Sequence, residues 1–254
     1  MKPLVVAIIC LLAMACMSAR PIICEKDSLN QHFQDVEQTI YQIYTSTTLK
    51  ENDNALPLVT GRAFAINQHQ LLTAGHVVKQ DCYYVSSPFG NIAIDITEEE
   101  KKEEKSWIII DGKEIPVTVT YKNKDLDFAV LETNQPIKMP LYTIGKSDQY
   151  NILDPVFFVG NNQIKYIKSG HIMSLDYIPC FIQEFDLGIS QEDLVGLYMS
   201  IKNGDSGSPI FIINDSEISV IGIVLLSDGN GTGYIRKIDA IIDDFRSWQN
   251  EREL

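Results

Sequence analysis

The feature that most constrains this chain is a rhythm of short runs rich in Val, Ile, Tyr and Phe, separated by polar turns. In the first half these runs fall at 40–44, 61–66, 71–74, 82–87, 107–110, 115–121 and 126–131. In the second half they fall at 156–159, 163–167, 170–175, 181–185, 194–199, 210–213, 218–226 and 234–235. Strands arriving about every 8–12 residues, with turn signals between them, imply a barrel or sandwich. The turns carry their own chemistry. Asn67-Gln68-His69-Gln70 closes one hairpin, and Asp111-Gly112 is a favoured two-residue hairpin loop in another.

Helical spacing is confined to the two ends. Phe33, Val36, Ile40 and Ile43 fall in phase, with Ser28 as a cap, and predict a short helix over 28–39 leading into the first strand. Ile241, Ile242, Phe245 and Trp248 predict a C-terminal helix over 239–248. The charge run 97–105 (TEEEKKEEK) reads as a solvated loop, and a looser link passes Pro136 and Pro140 to about residue 154.

A hydrophobic fraction of 45% with 22% charged residues fits a globular protein and argues against disorder. A formal charge of −13 argues against a nucleic-acid partner, because phosphate contacts need clustered Lys and Arg. After Lys2, residues 3–17 carry no charge, and that run is shorter than the ~20 residues of a membrane-spanning helix. With small residues at Ala13, Ala15, Ser18 and Ala19, it predicts a signal peptide over 1–19 and a secreted, periplasmic or cell-envelope location. Any membrane link would run through an uncleaved signal or lipidation of Cys16. Cleavage would leave Cys24, Cys82 and Cys180, enough for one disulfide and matching no zinc spacing. With four histidines and no His/Glu cluster, no metal and no cofactor are expected.

The chemistry gathers around Asn203-Gly204-Asp205-Ser206-Gly207-Ser208-Pro209. Glycines at 204 and 207 permit backbone angles that a Cβ resists, so Ser206 can stand exposed on a tight turn. The N–H groups of Gly204 and Ser206 can then point into one small space, where they would stabilise an oxyanion. Gly-Asp-Ser-Gly also reads as an ordinary turn. Two upstream segments add weight: Thr73-Ala74-Gly75-His76 and Asp127-Phe128-Ala129-Val130-Leu131. They complete a set of histidine, aspartate and serine in chain order. His76 would take the Ser206 proton, and an aspartate, Asp125 or Asp127, would fix the imidazole tautomer.

These three segments resemble the catalytic signatures of the trypsin-like serine peptidases. The stretches 154–161 (DPVFFVGN) and 169–175 (SGHIMSL) are similar to the bacterial Deg-type branch. The likeness runs from about residue 58 to 245. It implies an all-β protein of two six-stranded antiparallel β-barrels, with the active site between them and a short helix at each end. The N-terminal helix and first barrel would occupy 28–150, and the second barrel and C-terminal helix 151–254. The family pattern sets the aspartate two residues before a small residue, which selects Asp127 over Asp125. It gives His76, Asp127 and Ser206 as the catalytic set, and Gly204 and Ser206 as the oxyanion donors. Ser200, six residues before the nucleophile, resembles the base of the primary pocket, and a serine there favours a small or apolar side chain before the scissile bond. A polypeptide substrate would pair as a strand with the edge at Val224, Leu225, Leu226 and Ser227.

Two departures stand out. Deg-type proteins usually end in a PDZ module, and none is expected here after the C-terminal helix. Asp205 precedes the nucleophile as in trypsins activated by a freshly cut N-terminus, yet Arg20-Pro21-Ile22-Ile23 matches the usual activated start poorly, so the partner of Asp205 is left open. The alternatives to an endopeptidase are a catalytically silent binding module on the same fold and an esterase sharing the chemistry.

Overall fold

The structure is a computed structural model that describes residues 33–51, 55–80, 82–87, 90–162, 164–175, 193–214 and 217–252. The signal and lipidation readings, the Ser28 cap, the strand expected at 181–185 and two of the three remaining cysteines fall outside them. The chain divides into two compact units, 1–35 and 36–254. Only 33–35 of the first are described, in a helical turn that runs to 37.

Within the second unit, β1 (Ile40–Leu49), β2 (Val59–Ala65), β3 (Gln70–Ala74), β6 (Lys101–Ile110), β7 (Lys113–Asn123) and β8 (Phe128–Thr133) close into an antiparallel barrel in the order β1-β2-β3-β8-β7-β6. The strands β4 (Cys82–Ser87) and β5 (Gly90–Asp95) form a separate hairpin. A single helical turn, α1 (Gly75–Val78), follows β3. The Asp111-Gly112 loop carries φ of 49° and 74°, as the hairpin signal requires.

The second barrel contains β10 (Pro155–Asn162), β11 (Ile164–Ser174), β12 (Leu194–Tyr198), β13 (Pro209–Asn214), β14 (Glu217–Ser227) and β15 (Thr232–Lys237). These run β13-β10-β11-β12-β15-β14, and pairing of β13 with β14 closes the ring. A two-residue strand, β9 (Thr143–Ile144), adds to β14 in parallel. The runs expected at 163–167 and 170–175 are one continuous strand, β11, antiparallel to β10 from Asn162↔Ile164 to Pro155↔His171. The barrel's interior is a cluster that includes Phe158, Ile172, Val195, Leu197, Ile210, Ile221 and Ile235.

The reading of 97–105 as a loop is corrected. From Lys101 onward the segment is β6, paired with β1 from Leu49↔Lys101 to Ile43↔Ile108. Its charges are partly internal. Lys101 is 8% exposed and donates to Glu98 at 3.0 Å and Glu104 at 3.1 Å. Glu104 also accepts from the Thr47 hydroxyl and the Gln80 N–H, both at 3.0 Å. A charge run can enter a barrel when each inward member finds an opposite charge or a donor.

Tyr142, on the link between barrels, donates its hydroxyl to the Ala65 carbonyl at 2.6 Å, and its ring lies 5.3 Å from Phe211 of β13. The C-terminal helix α2 (Ile238–Arg252) buries Ile238, Ile241 and Phe245, each contributing about 1.5–3 kcal/mol. Tyr121 of β7 reaches it, with its ring 4.7 Å from Trp248 and its hydroxyl donating to Asp244 at 2.6 Å. The helix therefore ties one barrel to the other.

Candidate active site

The antiparallel register of β3 and β8 puts Ala74 opposite Phe128, so the residues just after one strand adjoin those just before the other. There the Gly75 N–H donates to the Asp127 carbonyl at 2.9 Å. The Asp127 carboxylate accepts twice from His76, at 2.8 Å from its backbone N–H and at 2.7 Å from Nδ1. A Cβ on Gly75 would lie 3.0 Å from Asp127 Oδ1, so glycine lets the carboxylate close over this turn. Asp127 ends the turn 124–127 with φ 52°, a left-handed angle that aspartate tolerates better than most residues. Asp125 is exposed in the same turn.

An ionised carboxylate only accepts, so the proton sits on His76 Nδ1 and Nε2 keeps its lone pair. The imidazole is 45% exposed while Asp127 is 9% exposed, which leaves the ring's far edge open to a substrate. His69 and His171 lie elsewhere, in the β2–β3 turn and on β11.

The Ser206 turn is stitched to both barrels. Toward the first, the Arg62 N–H donates to the Ser206 carbonyl at 2.8 Å. Toward the second, the Gly207 N–H donates to the Val224 carbonyl at 2.8 Å, and the Val224 N–H to the Ser208 carbonyl at 2.9 Å. Gly207 has φ 81°, and a Cβ there would lie 2.1 Å from the Arg62 carbonyl and 3.0 Å from the Ala74 nitrogen, so no other residue fits. Gly61 faces both halves of the site, its would-be Cβ being 2.7 Å from Val77 and 2.8 Å from the Ser206 carbonyl. Through these contacts the serine turn lies against the end of β3 that presents His76.

Ser206 Oγ donates to the Leu225 carbonyl at 3.3 Å, not to His76. Gly204 has φ 89°, and neither its N–H nor that of Ser206 bonds to an acceptor among the described residues. Val224, the first residue of the edge expected at 224–227, has both backbone groups engaged by the serine turn. Val224 and Leu225 are buried, Leu226 is half-buried, and Ser200 is exposed.

Two charged residues, Lys168 and Arg236, escaped the sequence reading. Asp205 is wholly buried, and its Oδ2 accepts from Lys168 Nζ on β11 at 2.7 Å and from the Lys202 N–H at 2.9 Å. Arg236 of β15 is also wholly buried, and its Nε donates to the Leu126 carbonyl at 3.1 Å, one residue before Asp127. Burial brings the Arg236 guanidinium down to about 10, with Asp127 and Asp193 opposing the fall. These partners stand 37 and 110 residues apart, and no local pattern links them.

Known structures share this architecture. The chain is similar to a structure titled HtrA-type protease AlgW with tripeptide, with TM-score 0.59 and 19% identity over 86% of this chain and 62% of that one. A variant of AlgW gives TM-score 0.60 and 18% identity over the same shares. The Rv3671c protease, titled as its inactive form, gives TM-score 0.58 and 15% identity over 86% of this chain and 93% of that one. The chain thus spans 62% of the length of the AlgW structures, and at these identities the likeness concerns the fold alone. No curated protein matches it. The model of the trypsin-like peptidase domain matches residues 60–223, more than half of the chain and including His76, Asp127 and Ser206. This protein therefore belongs to the trypsin-like peptidase family.

Proposed function

We propose that the protein is an endopeptidase that cleaves through an acyl-enzyme on Ser206, with His76 as general base and Asp127 as the orienting carboxylate. The observation that carries this reading is the double grip of Asp127 on His76, at 2.7 and 2.8 Å, beside the glycine-built turn of Ser206. Rotation of the Ser206 side chain away from the Leu225 carbonyl would bring Oγ to His76 Nε2. Catalytic hydrogen bonds often tighten only once substrate is bound. The freed Leu225 carbonyl would accept the substrate N–H nearest the scissile bond, and the peptide would extend along 225–227 as an added strand.

As Oγ attacks the carbonyl carbon, its proton passes to Nε2 and the carbonyl oxygen becomes an oxyanion. The unpaired N–H groups of Gly204 and Ser206 would receive that charge. The imidazolium, stabilised by Asp127, then protonates the leaving amine, and water repeats the sequence to release the acid. With no charge at Ser200, a small or apolar side chain before the scissile bond suits the site. The N-terminal apolar run would direct export to the cell envelope or beyond.

Ser206→Ala decides the assignment. Turnover of a peptide library and labelling by a fluorophosphonate should fall by about 10⁶-fold and to background, respectively, with the melting curve retained. Undiminished cleavage would move the nucleophile elsewhere. A wild type that binds peptides without labelling would favour the silent binding module.

A further inference from the structure

A carboxylate as buried as that of Asp205 requires a cation or several donors. Lys168 supplies the cation from within the chain. Its ammonium is 2.7 Å from Oδ2, and it lies 5.0 Å over the Phe158 ring, with its side chain 16% exposed. Asp205 also holds the turn by its backbone. Its N–H donates to the Lys202 carbonyl at 3.0 Å, and its carbonyl accepts from the Ser208 N–H at 3.0 Å. Those two bonds bracket Gly204 and Ser206. A shift of the Asp205 carboxylate would therefore rotate the peptide units whose N–H groups face the oxyanion.

We propose that Lys168 is a positioning residue. By holding Asp205 it keeps the Gly204 and Ser206 N–H groups aimed, so the site is competent without a newly freed amino terminus. This rests on the peptidase reading above. The rival arrangement is equally concrete. An amine released by N-terminal cleavage would dock on Asp205 Oδ1, which has no hydrogen-bond partner among the described residues.

The test compares the full chain, its amino terminus blocked by an uncleavable fusion, with the same chain after N-terminal processing. Both are labelled with a fluorophosphonate and assayed on a peptide substrate. Equal labelling rates, within about twofold, are expected. Lys168→Met should lower labelling and kcat by about a hundredfold with KM little changed, the size of effect seen when one oxyanion donor is lost. Lys168→Arg should restore most of the rate. Labelling that appears only after processing would overturn the inference and leave the peptidase reading intact, and so would a Lys168→Met variant as reactive as wild type. Absence of labelling in both wild-type forms would instead overturn the peptidase reading, and this inference with it. Should Lys168→Met fail to fold, the blocked wild type still decides.

Discussion

The two barrels hold their shares of the site by different means. In the first, three hydrogen bonds of 2.7–2.9 Å join residues 75 and 76 to Asp127, all made possible by the Ala74↔Phe128 register. The second presents Ser206 on a turn away from any ladder, and fixes it with a buried ion pair to Lys168 and with backbone bonds to both barrels. Strand register needs no buried cation, because neighbouring backbones bring the partners together. The serine turn lies outside any strand ladder, and there a charge at its centre adds its hold to the backbone bonds. The cost is desolvation of that charge, which only a close counter-ion offsets.

The sharpest way to break this contrast is at Asp127. Asp127→Asn keeps size and the backbone bonds, but its amide can donate toward Nδ1 and so favours the wrong imidazole tautomer. We expect kcat to fall about 10⁴-fold with the fold retained. A variant that lowered the melting temperature and left kcat untouched would make the pair structural only.

Arg236 is where the two halves meet, since it leaves β15 of the second barrel and bonds the Leu126 carbonyl beside Asp127 of the first. Its guanidinium stays protonated at neutral pH, because burial brings it only to about 10. Arg236→Met should lose about 1–3 kcal/mol in denaturant unfolding, as a buried carbonyl loses its donor. If the bond to Leu126 also places Asp127, kcat should fall with KM little changed. Lower stability with kcat unchanged would show that Arg236 supports only the loop.

The same division explains what could be read in the sequence. Strand rhythm, the Asp-Gly loop and the ordered His, Asp and Ser segments are local patterns, and the barrels and the His76–Asp127 pair follow from them. The charge run at 97–105 misled because composition describes a solvated loop, while burial of Lys101 between Glu98 and Glu104 depends on partners that composition cannot locate. Asp205 announced that a cation was needed, yet nothing near it singled out Lys168. Arg236 had no signal at all, being one arginine at the end of a short strand. The serine turn's hold on both backbone groups of Val224 likewise joins residues that only the packed structure brings together.

The smallest expected effect is at the clasp that joins the barrels outside the site. Tyr121 packs its ring 5.6 Å from Phe128, 5.8 Å from Phe245 and 4.7 Å from Trp248, and donates to Asp244 of α2. Tyr121→Phe keeps the ring contacts and deletes one hydrogen bond, so stability should fall by about 1 kcal/mol while kcat is unchanged. Burial, and then Asp244, push the Tyr121 hydroxyl up from 10.0 to about 12. With the folded value above the unfolded one, its contribution is complete below about pH 10 and is lost as pH rises through about 12. The stability gap between wild type and Tyr121→Phe, measured by denaturant unfolding, should therefore narrow between pH 8 and pH 11. A constant gap would mean that the hydroxyl acts through packing, and that apolar contact alone fastens α2 to the first barrel.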